Sequence, residues 1–254
     1  TAVIGPAQVV TYVLVIKLSV LFSNTFASKI ASAIIPGFAA LFSNNNNNEL
    51  KNSILKLNYI SVRLAIIGAC GFATINELFL EFWVGKEYFD STLNIIFLIW
   101  ILHETTYRVS SGMFFSFCKL NKWALFSGAD AFINIALSII LGSFYGLPGI
   151  AIATTISRLL TVYWVIHYEM IKELNFSVNS YLYYSFIKPL GVSLMTIFSC
   201  FWFINSYGVN NFYDATLGIL IFMSINLVSF FYFQNRSFLD PCKKNFLINK
   251  SETA

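Results

Sequence analysis

The chemistry-bearing residues of this 254-residue sequence are few, and several stand inside apolar runs. If those runs cross a bilayer, each ionisable group kept near the middle costs roughly 2.5–3.5 kcal/mol on insertion scales and raises a functional hypothesis. In one run His103, Glu104, Tyr107 and Arg108 stand at i,i+4 spacing, His103 with Tyr107 and Glu104 with Arg108, forming a polar stripe on one helical face. The stripe either locks neighbouring helices or faces a water-filled cavity. Arg158 has Thr154, Thr155 and Thr161 on nearby turns but no counter-charge, so it either invites an anion or pairs across helices with Asp130, which has Asn134 one turn further on. Lys17 and Lys29 in the first run and Arg63 in the second add positive charge. Lys29 and Arg63 are expected close enough to a headgroup layer to snorkel.

A cavity lined by several cations and few carboxylates suits a phosphate or pyrophosphate, whose oxygens match guanidinium forks bidentately. Catalytic chemistry does not compete with this reading. There is no phosphate-cradling glycine loop and no histidine pair at metal spacing, and only two histidines occur, His167 being expected at an interface. No metal or cofactor is called for. Of the four cysteines, Cys70, Cys118 and Cys200 lie in or beside apolar segments and read as small packing residues.

The elements that must position these groups are membrane helices. A 57% hydrophobic, 11% charged composition lies far from the roughly 45–50% and 25% of soluble domains. Apolar runs of about twenty residues fit helices, whereas barrel strands alternate over about ten. The fold class is therefore all-α, a polytopic transmembrane bundle of about seven spans: Pro6 to Phe42, Leu55 to Trp83, Leu93 to Phe117, Trp123 to Phe144, Leu147 to Tyr168, Pro189 to Tyr207 and Ala215 to Phe233. The first is too long for one crossing, and Pro36 predicts a kink or hinge near its end. Tyr145-Gly146-Leu147-Pro148-Gly149 reads as a tight turn, with Pro148 starting the next helix. Gly68, Gly71 and Gly112 are either flex points or small-residue packing positions. Trp83, Trp123, Tyr88, Tyr145, Tyr168 and Tyr207 fall near span ends, as an aromatic belt would.

Lys51, Lys56, Lys119, Lys122, Lys172, Lys188, Arg236, Lys243, Lys244 and Lys250 fall in alternate loops and the tail, while the other loops offer only Lys86. The positive-inside rule then predicts a cytoplasmic C-terminus and an external Thr1. A first residue outside, without an initiator Met or a basic leader, points to a chain lacking an N-terminal half. Asn44 to Asn48 reads as a flexible polar tract. The +4 formal charge is placed by loop topology, and nucleic-acid binding is not expected.

Four stretches carry a resemblance: Tyr12 to Leu18 leading to Pro36, the loop Phe82-Trp83-Val84-Gly85-Lys86-Glu87-Tyr88, Gly112 to Lys122, and Gly146-Leu147-Pro148-Gly149-Ile150-Ala151-Ile152-Ala153-Thr154. These loose, hydrophobicity-weighted patterns resemble the C-terminal half of the O-antigen and polysaccharide flippases of the multidrug/oligosaccharidyl-lipid/polysaccharide exporter superfamily. The resemblance implies that residues 1–174 form a five-span portion of the second lobe of a two-lobe exporter. Residues 175–234 would be two additional C-terminal helices and 235–254 a basic cytoplasmic tail. It also implies an alternating-access flippase, not an enzyme, in the bacterial inner membrane. Its cargo would be a lipid-pyrophosphate-linked oligosaccharide for O-antigen or lipopolysaccharide synthesis, and its neighbours membrane lipids, a polysaccharide polymerase and a chain-length regulator. Arg158, Arg108, Arg63 and Lys17 would then receive pyrophosphate or acidic sugars, Glu104, Asp130 and His103 would balance charge or exchange a coupling ion, and Pro36 would be a hinge. The competing readings are a small-cation extruder, which should present carboxylates, a non-transporting scaffold of a glycan-assembly complex, and a membrane glycosyltransferase, which needs larger outer loops.

Overall fold

The structure, a computed structural model, describes residues 6–44, 46–117 and 120–237. Among them seven long helices run up and down. The first, α1, covers residues 6–43 as Pro6–Phe22, a π-helical turn Ser23–Ala27 and Ser28–Ser43. It is followed by α2 (Asn47–Trp83) and α3 (Ser91–Phe115). Next come α4 (Leu120–Tyr145) and α5 (Leu147–Glu173), the latter broken at Thr161 between Leu160 and Val162. The last two are α6 (Val178–Tyr207) and α7 (Phe212–Ser237). Six of these are long and apolar enough to cross a bilayer, and the exception is α3, whose polar centre lowers its hydropathy. The chain is an all-α, multi-pass membrane protein.

Local chemistry sets the helix boundaries. The Asp90 side chain accepts from Leu93 N at 2.9 Å and caps α3, and Asn46 accepts from Glu49 N while its amide reaches Glu49 Oε2 at 2.6 Å. That cap starts α2 at Asn47, earlier than the expected Leu55, and takes Asn47 and Asn48 of the asparagine tract into the helix. Asn45 lies outside the described residues, as do Cys118, Lys119 and the tail beyond residue 237. Gly146 has a φ of 65°, open to glycine without steric cost, and Pro148 follows in the first helical turn, giving the expected tight α4–α5 connection.

α1 from Val9 to Ser43 is 35 residues and α2 is 37, or about 50–55 Å at 1.5 Å per residue, against a hydrocarbon core of about 30 Å. Both therefore protrude. Pro36 lies inside continuous helix, and the irregularity of α1 is the π turn about three turns upstream. The extra residue there sits where Ser23, Asn24 and Thr25 interrupt the apolar run.

The centre of the bundle is α3, parallel to α1 and flanked by α2 and α5. α4 packs on α5, and the α6–α7 pair seats mainly on α2. Gly112 allows α1 and α3 to approach closely, since a Cβ there would stand 2.7 Å from the Ala31 carbonyl oxygen. Of the glycines expected to flex or pack, Gly112 packs on backbone and Gly68 on the Phe22 ring.

One apolar cluster, at the end bearing Lys51 and Lys122, gathers Leu50, Ile54, Val109, Met113, Phe114 and Ile166. Another, at the end bearing the Gly146 turn, gathers Val15, Phe72, Leu93, Phe97, Trp100 and Ile101. On α3 the first cluster begins at Val109 and the second stops at Ile101. The polar stripe 103–108 is thus a layer between two oily plugs. Outward-facing Leu125, Phe132, Ile135, Ile139 and Phe144 on α4 are exposed, as lipid-facing positions are.

Candidate functional site

The layer begins with Glu104 on α3, whose side chain is 1% exposed and ion-paired to two arginines. Arg158 Nη1 of α5 donates to Glu104 Oε2 at 2.7 Å. Arg108 Nη2, one turn along α3, stands 2.8 Å from Glu104 Oε1, close but not aligned as a hydrogen bond. Arg158 Nε also lies 3.6 Å from Asp130 Oδ2 on α4, and its guanidinium sits 5.1 Å above the Tyr107 ring. Thr161, at the break in α5, has one hydroxyl proton shared between the Ser157 carbonyl at 2.7 Å and Asp130 Oδ1 at 3.2 Å, and Asn134 donates to Ser157 Oγ. Arg108 Nη1 donates to Ser28 Oγ of α1 at 3.0 Å, so the layer spans α1, α3, α4 and α5.

Both arginine side chains remain partly open, at 28% for Arg158 and 30% for Arg108, while the carboxylate between them is closed off. Unused hydrogen-bonding capacity collects beside them. Both ring nitrogens of buried His103, the Ser23 hydroxyl of the π turn and Arg108 Nε have no partner among the described residues. Gly112 stands opposite Ala31 and Ser116 Oγ donates to the Ile35 carbonyl, a register that sets Ser23–Ala27 level with Glu104. The π turn and the charged layer are therefore one structural level.

Several sequence expectations change here. Arg158 is not unpaired. The Asp130 pairing exists but is the looser contact, and the shorter one, to Glu104, joins two stripes that spacing treats separately. The i,i+4 pair Glu104 with Arg108 forms, whereas His103 and Tyr107 do not meet: the Tyr107 hydroxyl accepts from Trp123 Nε1 at 3.4 Å. Trp123 consequently packs inward on Phe115, while Trp83, Tyr145, Tyr168 and Tyr207 stay exposed near helix ends.

Arg63 does not snorkel. It is 2% exposed and donates to the Asn226 carbonyl and to Ser229 Oγ of α7, with Tyr59 and Phe230 rings beside it, so it clamps α7 to α2. Lys29, also expected at the headgroups, is exposed next to Ser28 at the level of Arg108. Lys17 lies two residues beyond Val15, whose carbonyl accepts from Asn76, itself bonded to Asn94 in the first turn of α3. It therefore sits toward the Gly146-turn end, away from the arginines. Pro36 is exposed on the same helix beyond the layer.

Spacing alone does not reveal a second buried polar group. Asn58 of α2 donates to Tyr181 Oη at 3.0 Å and Ser185 Oγ at 3.1 Å of α6 and accepts from Ser110 of α3, while His167 Nδ1 stands 2.7 Å from Tyr181 Oη. His167 is thus buried rather than interfacial. Among the described residues no three His, Cys, Asp or Glu side chains gather as a metal site. Cys70 and Cys200 are buried free thiols, with Cys200 Sγ 3.8 Å from the Cys70 carbonyl, as packing residues would be.

No protein-family model, curated protein or solved structure matches the chain.

Proposed function

We propose that this chain is part of a transporter that moves an anionic, lipid-linked cargo across the membrane, with the Arg108–Glu104–Arg158 layer as its headgroup site. The observation that carries this reading is the asymmetry of that layer. Two arginine side chains stay partly open halfway along the bundle while their carboxylate partner is sealed, so an approaching ligand meets the arginines before the carboxylate. Exposed Lys29 on α1 adds positive charge at the same level.

A phosphate or pyrophosphate suits such a fork, and the exposed apolar faces of α4 suit the lipid tail. On the family resemblance, the cargo is a lipid-pyrophosphate-linked oligosaccharide for surface polysaccharide synthesis, flipped by alternating access in a bacterial inner membrane. The lysine-rich helix ends then face the cytoplasm. The cation-extruder reading needs an accessible carboxylate in the layer, and both Glu104 and Asp130 are held by Arg158.

Liposomes holding the full-length protein, loaded with a fluorescent lipid-pyrophosphate oligosaccharide and compared with a small cationic drug, test this. Movement of the sugar lipid alone is expected. Movement of the drug alone overturns the anionic cargo in favour of an extruder, and movement of neither favours a scaffold.

A further inference from the structure

The charges of the central layer balance, Arg108 and Arg158 against Glu104 and Asp130. Arg63 has no such balance. It lies near the middle of α2, is 2% exposed, and meets no carboxylate among the described residues. A guanidinium does not escape burial by losing its proton, and a buried charge without a counter-charge is strongly destabilising. The Tyr59 and Phe230 rings and the Asn226 carbonyl offset part of that cost, but none of them carries a net charge.

Unused donors gather at the same place. Arg63 Nε, Asn226 Nδ2, Ser193 Oγ and Thr196 Oγ1 have no partner among the described residues, and all four residues are at most 5% exposed. Elsewhere in the bundle Thr74, Thr154 and Thr155 turn their hydroxyls back to a carbonyl of their own helix, which Ser193 and Thr196 do not. Both face inward, because α6 packs on α2 and α7. α6 runs parallel to α2, with Ser185 bonded to Asn58 and Cys200 against Cys70, so Ser193 and Thr196 fall in the interval that holds Arg63. α7 runs antiparallel to α6, with Phe203 set against Gly218 and Phe222. Thr196, two turns back from Phe203, therefore lies opposite the stretch of Asn226 and Ser229. Three helices thus bring an uncompensated cation and four unused donors to one sealed level.

We propose that the α2–α6–α7 interface holds one small inorganic anion of the halide class, such as chloride, between the Arg63 guanidinium, the Asn226 amide and the hydroxyls of Ser193 and Thr196. A water molecule would occupy some of these donors and leave the positive charge uncancelled. A halide does both, since it accepts from N–H and O–H donors in any direction and needs no donor of its own to be satisfied. The seal that keeps Arg63 from lipid also separates this ion from the open arginines of the layer. It is a resident counter-ion that fastens α6 and α7 to α2, and it does not depend on what the layer carries.

Thermal unfolding of the full-length protein in detergent, followed as chloride replaces gluconate at constant ionic strength, tests this. The wild-type midpoint is expected to rise by about 3–6 °C and to saturate, as one bound ligand requires. Bromide should substitute for chloride. Arg63→Met should abolish the rise, and Ser193→Ala combined with Thr196→Val should raise the half-saturating chloride at least about tenfold through two lost hydrogen bonds to a charged group. Arg158→Ala should keep the rise unchanged. If Arg63→Met does not fold, the hydroxyl pair decides, together with crystals of the full-length protein grown in sodium bromide. Their anomalous signal should show a peak within hydrogen-bond reach of Arg63 Nε and Asn226 Nδ2. A midpoint that does not saturate with halide, a response that survives in the site variants, a response lost in Arg158→Ala, or bromide found only at the Arg108–Arg158 layer overturns the inference.

Discussion

Two buried arginine arrangements in this bundle use opposite chemistry. Among the described residues Arg63 meets no carboxylate, and it spends its donors on a backbone carbonyl and a hydroxyl of α7, between two aromatic rings, with 2% exposure. Arg158 and Arg108 share a carboxylate and keep more than a quarter of their surface open. A guanidinium whose protein partners are neutral and fully enclosed holds two helices together. An arginine whose partner is a charge, and whose side chain is partly open, can exchange that partner for a ligand. Burial and partner type, rather than residue type, separate the clamp from the site.

The contrast breaks most sharply at Glu104. Glu104→Ala leaves Arg108 without a carboxylate and Arg158 with only the looser Asp130 contact, a cost that approaches the roughly 3–5 kcal/mol of breaking a buried pair. We expect severe loss of folded protein, read as abundance and thermal stability in detergent. Arg63→Ala should come next. It removes the charged donor shared by the Asn226 carbonyl and Ser229 Oγ, which keep only their own mutual hydrogen bond, at a cost of about 1.5–3 kcal/mol. The loss should localise: hydrogen exchange should rise in α7 and along its seat on α2 while the α3–α5 layer stays protected. Equal deprotection of both regions would make Arg63 a general core residue and erase the distinction.

Arg158→Ala is expected to behave differently from either. Glu104 keeps Arg108 and Asp130 keeps Thr161 in reach, so abundance should fall only modestly while translocation of the anionic lipid falls at least tenfold. Parallel loss of abundance and transport would return Arg158 to a purely structural role. Asp130→Asn should be milder still, because the 3.6 Å contact to Arg158 is the looser one and Thr161 can still donate to the remaining oxygen. A destabilisation of about 1 kcal/mol or less in a chemical melt is the expected reading.

Much of the helical frame is legible from residue types. Apolar run length gives the spans, Gly146 with Pro148 gives one turn, and the Glu104–Arg108 pair follows from i,i+4 spacing. The cross-helix partner of Arg158 is not legible, since spacing reports neighbours along one helix and says nothing of which helix stands opposite. The same limit hides the Asn58–Tyr181–His167 group, built from α2, α5 and α6. Arg63 misleads for another reason. Its distance from the chain turns allows snorkelling, and only the arrival of α7 from far along the sequence encloses it. The π turn did leave a trace in Ser23-Asn24-Thr25, a polar triplet inside an apolar run, which Pro36 overshadows as the obvious helix breaker.

The smallest effect sharpens the comparison along α1, where two exposed lysines differ chiefly in level. Lys29 stands beside Ser28, the partner of Arg108, whereas Lys17 sits near the Asn76–Asn94 contact toward the other end. A charge about 10 Å from a bound anion, at an effective dielectric of about 40, is worth about 0.8 kcal/mol, a change of about fourfold. Lys29→Ala should therefore weaken binding of a farnesyl phosphodiester probe, which has a single headgroup charge, by about that factor, with the loss shrinking as salt is added. Lys17→Ala should leave binding unchanged and alter stability by about 0.5 kcal/mol or less. Equal weakening by both substitutions would mean that the probe feels the positive charge of the whole helix, and the layer would lose its claim to be the place where the headgroup rests.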